Sequence, residues 1–361
     1  MNVPSDSSIV YVGCTAPARD VLETLLEHDA PITEIVSIDP EMASKHGVCG
    51  YASFADVADE HDIPIYYPST YSMNDEDVAH FRELDTDLMI VNGWQRLIPE
   101  SVLKTATYGA LGNHGSAFGL PKGRGRSPLN WSLIEDRDRF LLSVITLDPG
   151  ADSGDIVTTR KFDITDHDTI ETLYYKVTMC MKEMLLEVVG PILREQQEYE
   201  TQREDEATYY PKRNPEDGEI HWGDGTTEVH NLVRAVADPY PGAFTFADGE
   251  RVMIWDARPF SSDLEPRAEA GTVVEVFWTG DFVVATADGT LLVTEYEADS
   301  WKPTVGATFE SRGDNDRVDS VDHQHNLTSG SSSSGSTANS NSNSNTDSNT
   351  GTITVETDVD A

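Results

Sequence analysis

The chain has 361 residues, enough for one large or two ordinary domains with a sizeable core. Its 25 basic and 64 acidic residues give a formal net charge of −39, a surface that repels phosphate backbones and argues against nucleic acid as a partner. Its three cysteines, Cys14, Cys49 and Cys180, are too few and too widely spaced for a disulfide framework or a zinc pattern, and no metal is expected.

Lysine is scarce, and the acidic charge is spread along the chain. That is the balance of a protein adapted to high salt, where bulk ions screen self-repulsion; an acidic mesophilic protein is the alternative. Met1 to Ser8 carries no basic flank and no long apolar run, and no stretch is long enough to span a membrane. A cytoplasmic location with reduced thiols is expected.

In chain order, Ser8 to Val12 reads as a strand and Asp20 to His28 as a helix with Val21, Leu22, Leu25 and Leu26 at helical spacing. Ile32 to Ile38 is a strand, Tyr51 to His61 a helix with Phe54, Val57 and Ala58 inward, and Ile63 to Tyr67 a short strand. Asp75 to Leu84 is a helix, Leu88 to Val91 a buried strand, Pro99 to Lys104 a helix, and Tyr108 to Asn113 a strand. Pro128 to Glu135 is a helix, and Arg139 to Thr146 and Ile156 to Phe162 are two more strands. Thr169 to Glu198 is a long helical stretch that Pro191 is expected to kink or split. This alternation predicts an α/β fold with a mainly parallel sheet covered on both faces, over residues 1–205. Ligands on such sheets bind beyond the carboxyl ends of the strands.

From about Tyr209 the pattern changes to short strands: Thr245-Phe246, Val252 to Trp255, Gly271 to Phe277, Asp281 to Thr286 and Gly289 to Thr294, with a helix from Glu228 to Ala237. Residues 206–310 therefore read as a small antiparallel barrel or sandwich. Ser311 to Ala361 is Ser, Asn, Thr, Gly and Asp with almost no apolar residues, and is expected to be disordered.

Three short glycine-flanked segments carry the chemistry. Asn113-His114 stands at the end of a strand, and Gly123-Arg124-Gly125-Arg126 follows in the next loop. Asp152 sits in the turn Gly150-Ala151-Asp152-Ser153-Gly154-Asp155. Amide, imidazole and carboxylate together can hold a carbonyl, stabilise an oxyanion and accept a proton. Each residue also has a plain structural reading. His114 can make a loop hydrogen bond, Asp152 can cap its own turn, and the two arginines can pair with carboxylates. Read as functional, Arg124 and Arg126 clamp a phosphate or carboxylate. Asn92-Gly93-Trp94-Gln95-Arg96-Leu97, between a buried strand and a helix, either pairs its backbone with a flat heterocycle or simply connects the two elements.

Together these segments resemble the 10-formyltetrahydrofolate-dependent formyltransferases. The residues that carry the resemblance are Gly112-Asn113-His114-Gly115-Ser116, Leu120 to Gly125, and Ala151 to Asp155. Within that family the chain is similar to the domain acting on UDP-4-amino-4-deoxy-L-arabinose. This rests on Gly125 to Trp131, Arg213 to Gly218, and the run His230-Asn231-Leu232-Val233-Arg234-Ala235-Val236-Ala237-Asp238-Pro239-Tyr240-Pro241-Gly242-Ala243-Phe244. It is also similar to methionyl-tRNA formyltransferase. The resemblance implies a Rossmann-like catalytic domain and an OB-like second domain. It implies folate against Asn92, Gly93, Trp94, Gln95, Leu97 and Asp148, and acceptor contacts from Ser116, Gly123, Arg124, Gly125 and Arg126. His114 would stabilise the oxyanion, and Asp152 would hold the His114 charge and help deprotonate the attacking amine.

One position departs from the family. Its asparagine stands two residues before the histidine, on the same strand face. Here that slot is Gly112, and Asn113 reaches the site only through a bulge. The loop after Ser116 is also about two residues longer than in the amino-sugar relative.

The expected function is transfer of a formyl group from 10-formyltetrahydrofolate to the amine of a nucleotide-linked amino sugar. Formylation of methionyl initiator tRNA and a non-catalytic folate- or nucleotide-binding protein are the alternatives. The oligomeric state is left open.

Overall fold

The computed structural model describes residues 2–263 and 268–310. The tail from Ser311 to Ala361, expected to be disordered, lies outside the described residues.

The first part of the chain runs β1 (Ile9–Val12), α1 (Ala16–Glu27), β2 (Ile32–Val36), α2 (Pro40–Lys45), α3 (Ala55–Glu60), β3 (Ile65–Tyr66), α4 (Asp75–Glu83), β4 (Leu88–Val91), α5 (Glu100–Leu103) and β5 (Ala110–Ser116). It continues through β6 (Arg124–Gly125), α6 (Pro128–Ile134), β7 (Arg139–Thr146), β8 (Ile156–Asp163) and α7 (Ile170–Leu193). Seven of these strands form one sheet in the order β3-β2-β1-β4-β5-β7-β8. The first five are parallel, whereas β7 runs antiparallel to both β5 and β8.

Side-chain alternation explains the two layers of helices. Ile9 and Tyr11 of β1, with Leu111 of β5, enter the core beneath α1, α3 and α7. Val10 and Val12, with Ala110, enter the opposite core beneath α4 and α5. The helices follow their capping chemistry. Asn74 starts α4 with a capping box, and Asp39 caps α2 by accepting from the Met42 N–H at 2.7 Å. The expected helix over Tyr51 to His61 is shorter, because Tyr51 bridges Thr15 and the helix begins only at Ala55. Pro191 neither splits α7 nor ends it at once; it sits in the last turn, and the helix stops at Leu193, five residues before the expected end.

Next come β9 (Tyr209–Tyr210), which pairs with β6, and then α8 (Thr226–Val236), β10 (Ala243–Ala247), β11 (Glu250–Ser261), β12 (Val273–Val276), β13 (Phe282–Ala285) and β14 (Thr290–Glu297). The last five strands form one antiparallel sheet, β10-β11-β14-β13-β12. Thr308 bridges Thr272 beside β12, and Glu310 bridges Phe246 of β10, so this one segment joins the two edges of the sheet. The arrangement is a small barrel, not a sandwich. β11 is 12 residues long, far beyond the expected Val252 to Trp255. Pro259 is tolerated because the pairing to β14 shifts register beside it.

The run His230 to Phe244 locks the barrel to the first sheet. Arg234 of α8 donates to the carbonyls of Thr165 and Asp168 at 2.8 and 3.1 Å, and Asn130 of α6 donates to the Ala235 carbonyl at 2.7 Å. Val233 and Val236 are buried in the shared core.

Candidate active site

β5 runs past the end of its neighbour. Its last partner on β4 is Ile90, opposite Leu111, so His114 stands three residues beyond that pair, next to the loop that leaves β4. This is the carboxyl end of the parallel strands, at the seam where the sheet turns antiparallel. His114 is not at the end of its strand as expected. Pairing with β7 extends β5 through Ser116.

The imidazole is 8% exposed. Its Nε2 lies 3.0 Å from the Gly123 carbonyl oxygen, and its Nδ1 lies 3.3 Å from Asp152 Oδ1. Both partners are acceptors. A neutral ring can donate to only one of them, and the imidazolium to both. Asp152 adopts a left-handed φ of 56°, a conformation aspartate tolerates in turns, and this aims its carboxylate back at the sheet. Its second oxygen accepts from the Gly125 N–H at 3.0 Å. Asp152 therefore does not cap its own turn: its carboxylate bridges the imidazole and the Gly125 N–H of the neighbouring loop.

The loop between them is drawn in by its glycines. Gly123 has a φ of 76°, and a Cβ on it would come 2.5 Å from the Ser116 Cβ. Ser116 is buried and donates to the Lys122 carbonyl at 2.6 Å while accepting from the Phe118 N–H. Ser116 and Gly123 thus shape the loop over His114. Gly125 passes against Tyr210, where a Cβ would lie 2.5 Å from the Tyr210 carbonyl oxygen.

Two expectations are corrected. Asn113 does not join His114. The β5–β7 register is continuous from Leu111–Thr146 to Ser116–Leu141, without a bulge, so Asn113 shares the Leu111 face and His114 the opposite one. The Gly112 slot on the His114 face is closed by Leu147, whose Cδ2 would lie 2.6 Å from a Cβ there. Arg124 is no acceptor clamp. It is fully buried, and its guanidinium is taken up by Gln202 at 2.9 and 3.2 Å, Glu204 at 2.7 and 2.9 Å and the Tyr209 hydroxyl at 3.0 Å. Arg126 is exposed, and among the described residues its side chain has no ion-pair partner.

Sequence reasoning missed Gln202, which is 50 positions from the turn it serves. Its Nε2 donates to the Asp152 and Gly154 carbonyls at 2.9 and 2.6 Å, while its Oε1 accepts from Arg124. The buried arginine therefore acts on the carboxylate turn through Gln202. No local pattern signals such a contact.

On the other flank, Gly93 turns with a φ of 68° close against Thr15. Asn92 is buried and donates to the Tyr11 hydroxyl at 3.2 Å, and Gln95 donates to the Cys49 carbonyl. Trp94 packs edge-on against Tyr71, and its Nε1 is buried without a hydrogen-bond partner. Leu97 is 70% exposed. Burial pushes the nearby Cys14 thiol up to about 11. Asp148 accepts from the Gly150 N–H and the Ser153 hydroxyl, which closes the turn that carries Asp152.

An imidazole–carboxylate pair at a parallel-sheet end, followed by a small β-barrel, defines a two-part sheet-and-barrel architecture. Residues 12–189 match the formyl transferase family, and residues 212–312 match the formyl transferase C-terminal domain. The chain belongs to the formyl transferase family, a class of enzymes. Among solved structures it is similar to an N-formyltransferase from Helicobacter canadensis in complex with folinic acid and dTDP-3-aminofucose. The identity is 16%, covering 81% of this chain and 100% of that one, with a TM-score of 0.60. It is also similar to HypX from Aquifex aeolicus in complex with tetrahydrofolic acid, at 20% identity over 80% of this chain, TM-score 0.57. The chain spans only 43% of the HypX length. Methionyl-tRNA formyltransferase from Clostridium thermocellum is similar at 19% identity over 70% of this chain and 93% of that one, TM-score 0.51.

Proposed function

We propose that the protein transfers the formyl group of 10-formyltetrahydrofolate to the amine of a nucleotide-linked amino sugar. The observation that carries this reading is the His114–Asp152 pair, 3.3 Å apart and anchored by Gly125, in a chain of this family. The flank from Asn92 to Leu97 suits a reduced folate. It offers an exposed apolar side chain from Leu97 for the ligand to cover. The folate supplies a formyl carbon bonded to nitrogen. The acceptor amine attacks that carbon, the new C–N bond forms, and the bond to the folate nitrogen breaks as that nitrogen takes up the proton the amine gives up. His114 Nε2 turns its N–H from the Gly123 carbonyl to the oxygen that becomes negative, and Asp152, on Nδ1, holds the ring's charge and first takes the proton the amine loses. Because Asn113 lies on the opposite strand face, the imidazole is the one side-chain donor among the three expected residues on the His114 face.

The acceptor is chosen on charge and on likeness. An amino-sugar relative shares the fold over its whole length. Formylation of an aminoacyl-tRNA is the second reading, motivated by the Clostridium thermocellum relative. A net charge of −39 opposes it. The test is tetrahydrofolate release from 10-formyltetrahydrofolate at molar KCl, with UDP- and dTDP-linked 4-amino sugars or with methionyl-tRNA. Release that depends on an amino sugar is the expected result. Release only with the tRNA, or release that needs no amine, overturns it.

A further inference from the structure

The loop after β4, from Asn92 to Leu97, is gripped by two residues far from it in sequence. Cys14 follows β1, and Tyr71 lies between β3 and α4. Both are buried, and they pack together in a small apolar cluster with Ile38 and Ala43. Their polar atoms turn to the loop. The Cys14 thiol donates to the Gly93 carbonyl at 3.2 Å, and the Tyr71 hydroxyl accepts from the Gln95 N–H at 3.2 Å. The sulfur and the hydroxyl oxygen lie 3.5 Å apart.

Counting hydrogens fixes the direction of this chain of contacts. A thiol has one hydrogen, and the Gly93 carbonyl takes it, so the remaining contact runs from the Tyr71 O–H to the Cys14 sulfur. The relay passes from the Gln95 N–H through Tyr71 and Cys14 to the Gly93 carbonyl, and the loop itself closes it. Burial pushes the thiol up to about 11 and raises the Tyr71 hydroxyl above its ordinary value, so both keep their hydrogens at neutral pH. The loop's side chains wrap the same tyrosine. Trp94 packs edge-on with ring centres 4.9 Å apart, and Arg96 lies 4.9 Å over the ring while donating to the Gln95 carbonyl.

This grip decides which backbone groups of the loop face outward. Its peptide bonds are trans, so the C=O and N–H of each peptide plane point in opposite directions. The Gly93 C=O is turned in to Cys14, which turns the Trp94 N–H out. The Gln95 N–H is turned in to Tyr71, which turns the Trp94 C=O out. Among the described residues neither Trp94 backbone group has a hydrogen-bond partner. One residue thus presents a donor beside an acceptor, the complement of a heterocycle that carries an acceptor beside a donor. A loop without the grip would have to be ordered by its ligand, at a cost in affinity.

We propose that Tyr71 and Cys14 are positioning residues of the folate site, holding the Trp94 N–H and C=O outward for the ring of the cosubstrate. The assignment rests on the folate reading above. It acts on folate binding and not on the transfer step, because His114 and Asp152 are held by other partners, the Gly123 carbonyl and the Gly125 N–H.

The test is calorimetric binding of folinic acid, a stable reduced folate, to the full chain at molar KCl. Tyr71→Phe, Cys14→Ala, their double variant and Cys14→Ser are compared with the native protein. Tyr71→Phe and Cys14→Ala each remove one polar atom of the relay and are each expected to weaken binding about fivefold or more. The double variant is expected to lie within about twofold of the weaker single one, because a relay already broken has little more to lose. Cys14→Ser keeps a donor and is expected to bind better than Cys14→Ala. In the formyl-transfer assay the KM for 10-formyltetrahydrofolate should rise with the dissociation constant, while kcat and the acceptor KM stay within about twofold. The proposal is overturned if the native protein does not bind folinic acid, if the single variants bind as the native protein does, if their effects add fully in the double variant, if Cys14→Ser binds no better than Cys14→Ala, or if kcat falls while the folate KM does not rise. A lowered Tm with unchanged affinity shows a purely structural role and also overturns it. If Tyr71→Phe does not fold, the two Cys14 variants decide the result. Weakened binding in the variants without amino-sugar-dependent release by the native protein keeps this assignment and removes the proposed function. Release by the native protein with unchanged affinity in the variants does the reverse.

Discussion

At His114 the ring's two nitrogens face a carbonyl and a carboxylate, 3.0 and 3.3 Å away, and nothing else in the immediate loop needs a buried imidazole. His114→Ala and Asp152→Asn are each expected to lower turnover by about a hundredfold or more, as for other oxyanion and proton-transfer groups. Single-turnover rates near those of the unmutated protein in either variant would contradict the mechanism. Gly112 is the neighbouring residue with a definite steric role. Gly112→Asn is expected to destabilise the fold by about 1–3 kcal/mol by crowding Leu147. Leu147→Ala is expected to recover part of that loss, and denaturation of the two single variants and the double variant measures the coupling. Additive effects would mean that the leucine does not fill the slot. The identities of His114 and Asp152, and their nearness, were legible in the sequence because each sits in a short glycine-flanked motif. The face of Asn113 was not, because it depends on whether β5 pairs with β7 continuously.

At the scale of elements, the turn carrying Asp152 is held from a distant segment by Gln202, which is in turn held by Arg124. Gln202→Leu is expected to lower kcat about tenfold with little change in the folate KM, because it frees the carboxylate turn while leaving the Asn92 to Leu97 flank intact. Equal changes in kcat and KM, or none, would count against a positioning role. A second device fastens the start of α4. Asp77 is fully buried and accepts from the Asn74 N–H at 2.6 Å, the Ser69 N–H at 2.8 Å and the Tyr66 hydroxyl at 2.8 Å. Burial raises its pKa, but those donors outweigh it and hold the carboxyl below its usual range. A depressed folded-state value means that the stabilisation is fully present above the unfolded value of about 3.9 and is lost as pH falls through the folded value. Asp77→Asn should therefore cost about 1–3 kcal/mol at pH 7, with the gap to the unmutated protein narrowing below pH ~4 in urea titrations. A gap that stays constant into acid would refute this account.

For the whole molecule, the net charge of −39 is the dominant long-range term. We propose that the protein works at high salt, where a Debye length of about 3 Å at 1 M suppresses self-repulsion. The Tm is expected to rise by about 5 °C or more between ~0.2 and ~2 M KCl, and a flat or falling Tm in a thermal scan would oppose the high-salt reading. The two parts of the chain share one continuous apolar core that includes Leu173 of α7, Val233 of α8 and Val252 of β11, so one cooperative transition should report on both.

The sequence by itself determined most of the order of strands and helices, the change from a mainly parallel sheet to short antiparallel strands, and the nearness of His114 and Asp152, but not α2 or the short β6–β9 pair. These depend on local periodicity, capping and glycine, all of which act within a few residues. Only the tertiary structure decided that Arg124 is consumed inside the protein, that Leu147 closes the Gly112 slot, and that Cys14 and Tyr71 meet at the loop after β4. Each of those outcomes is a contact between segments far apart in the chain. Which partner a buried polar group or a strand face meets is settled by packing, not by its neighbours in sequence.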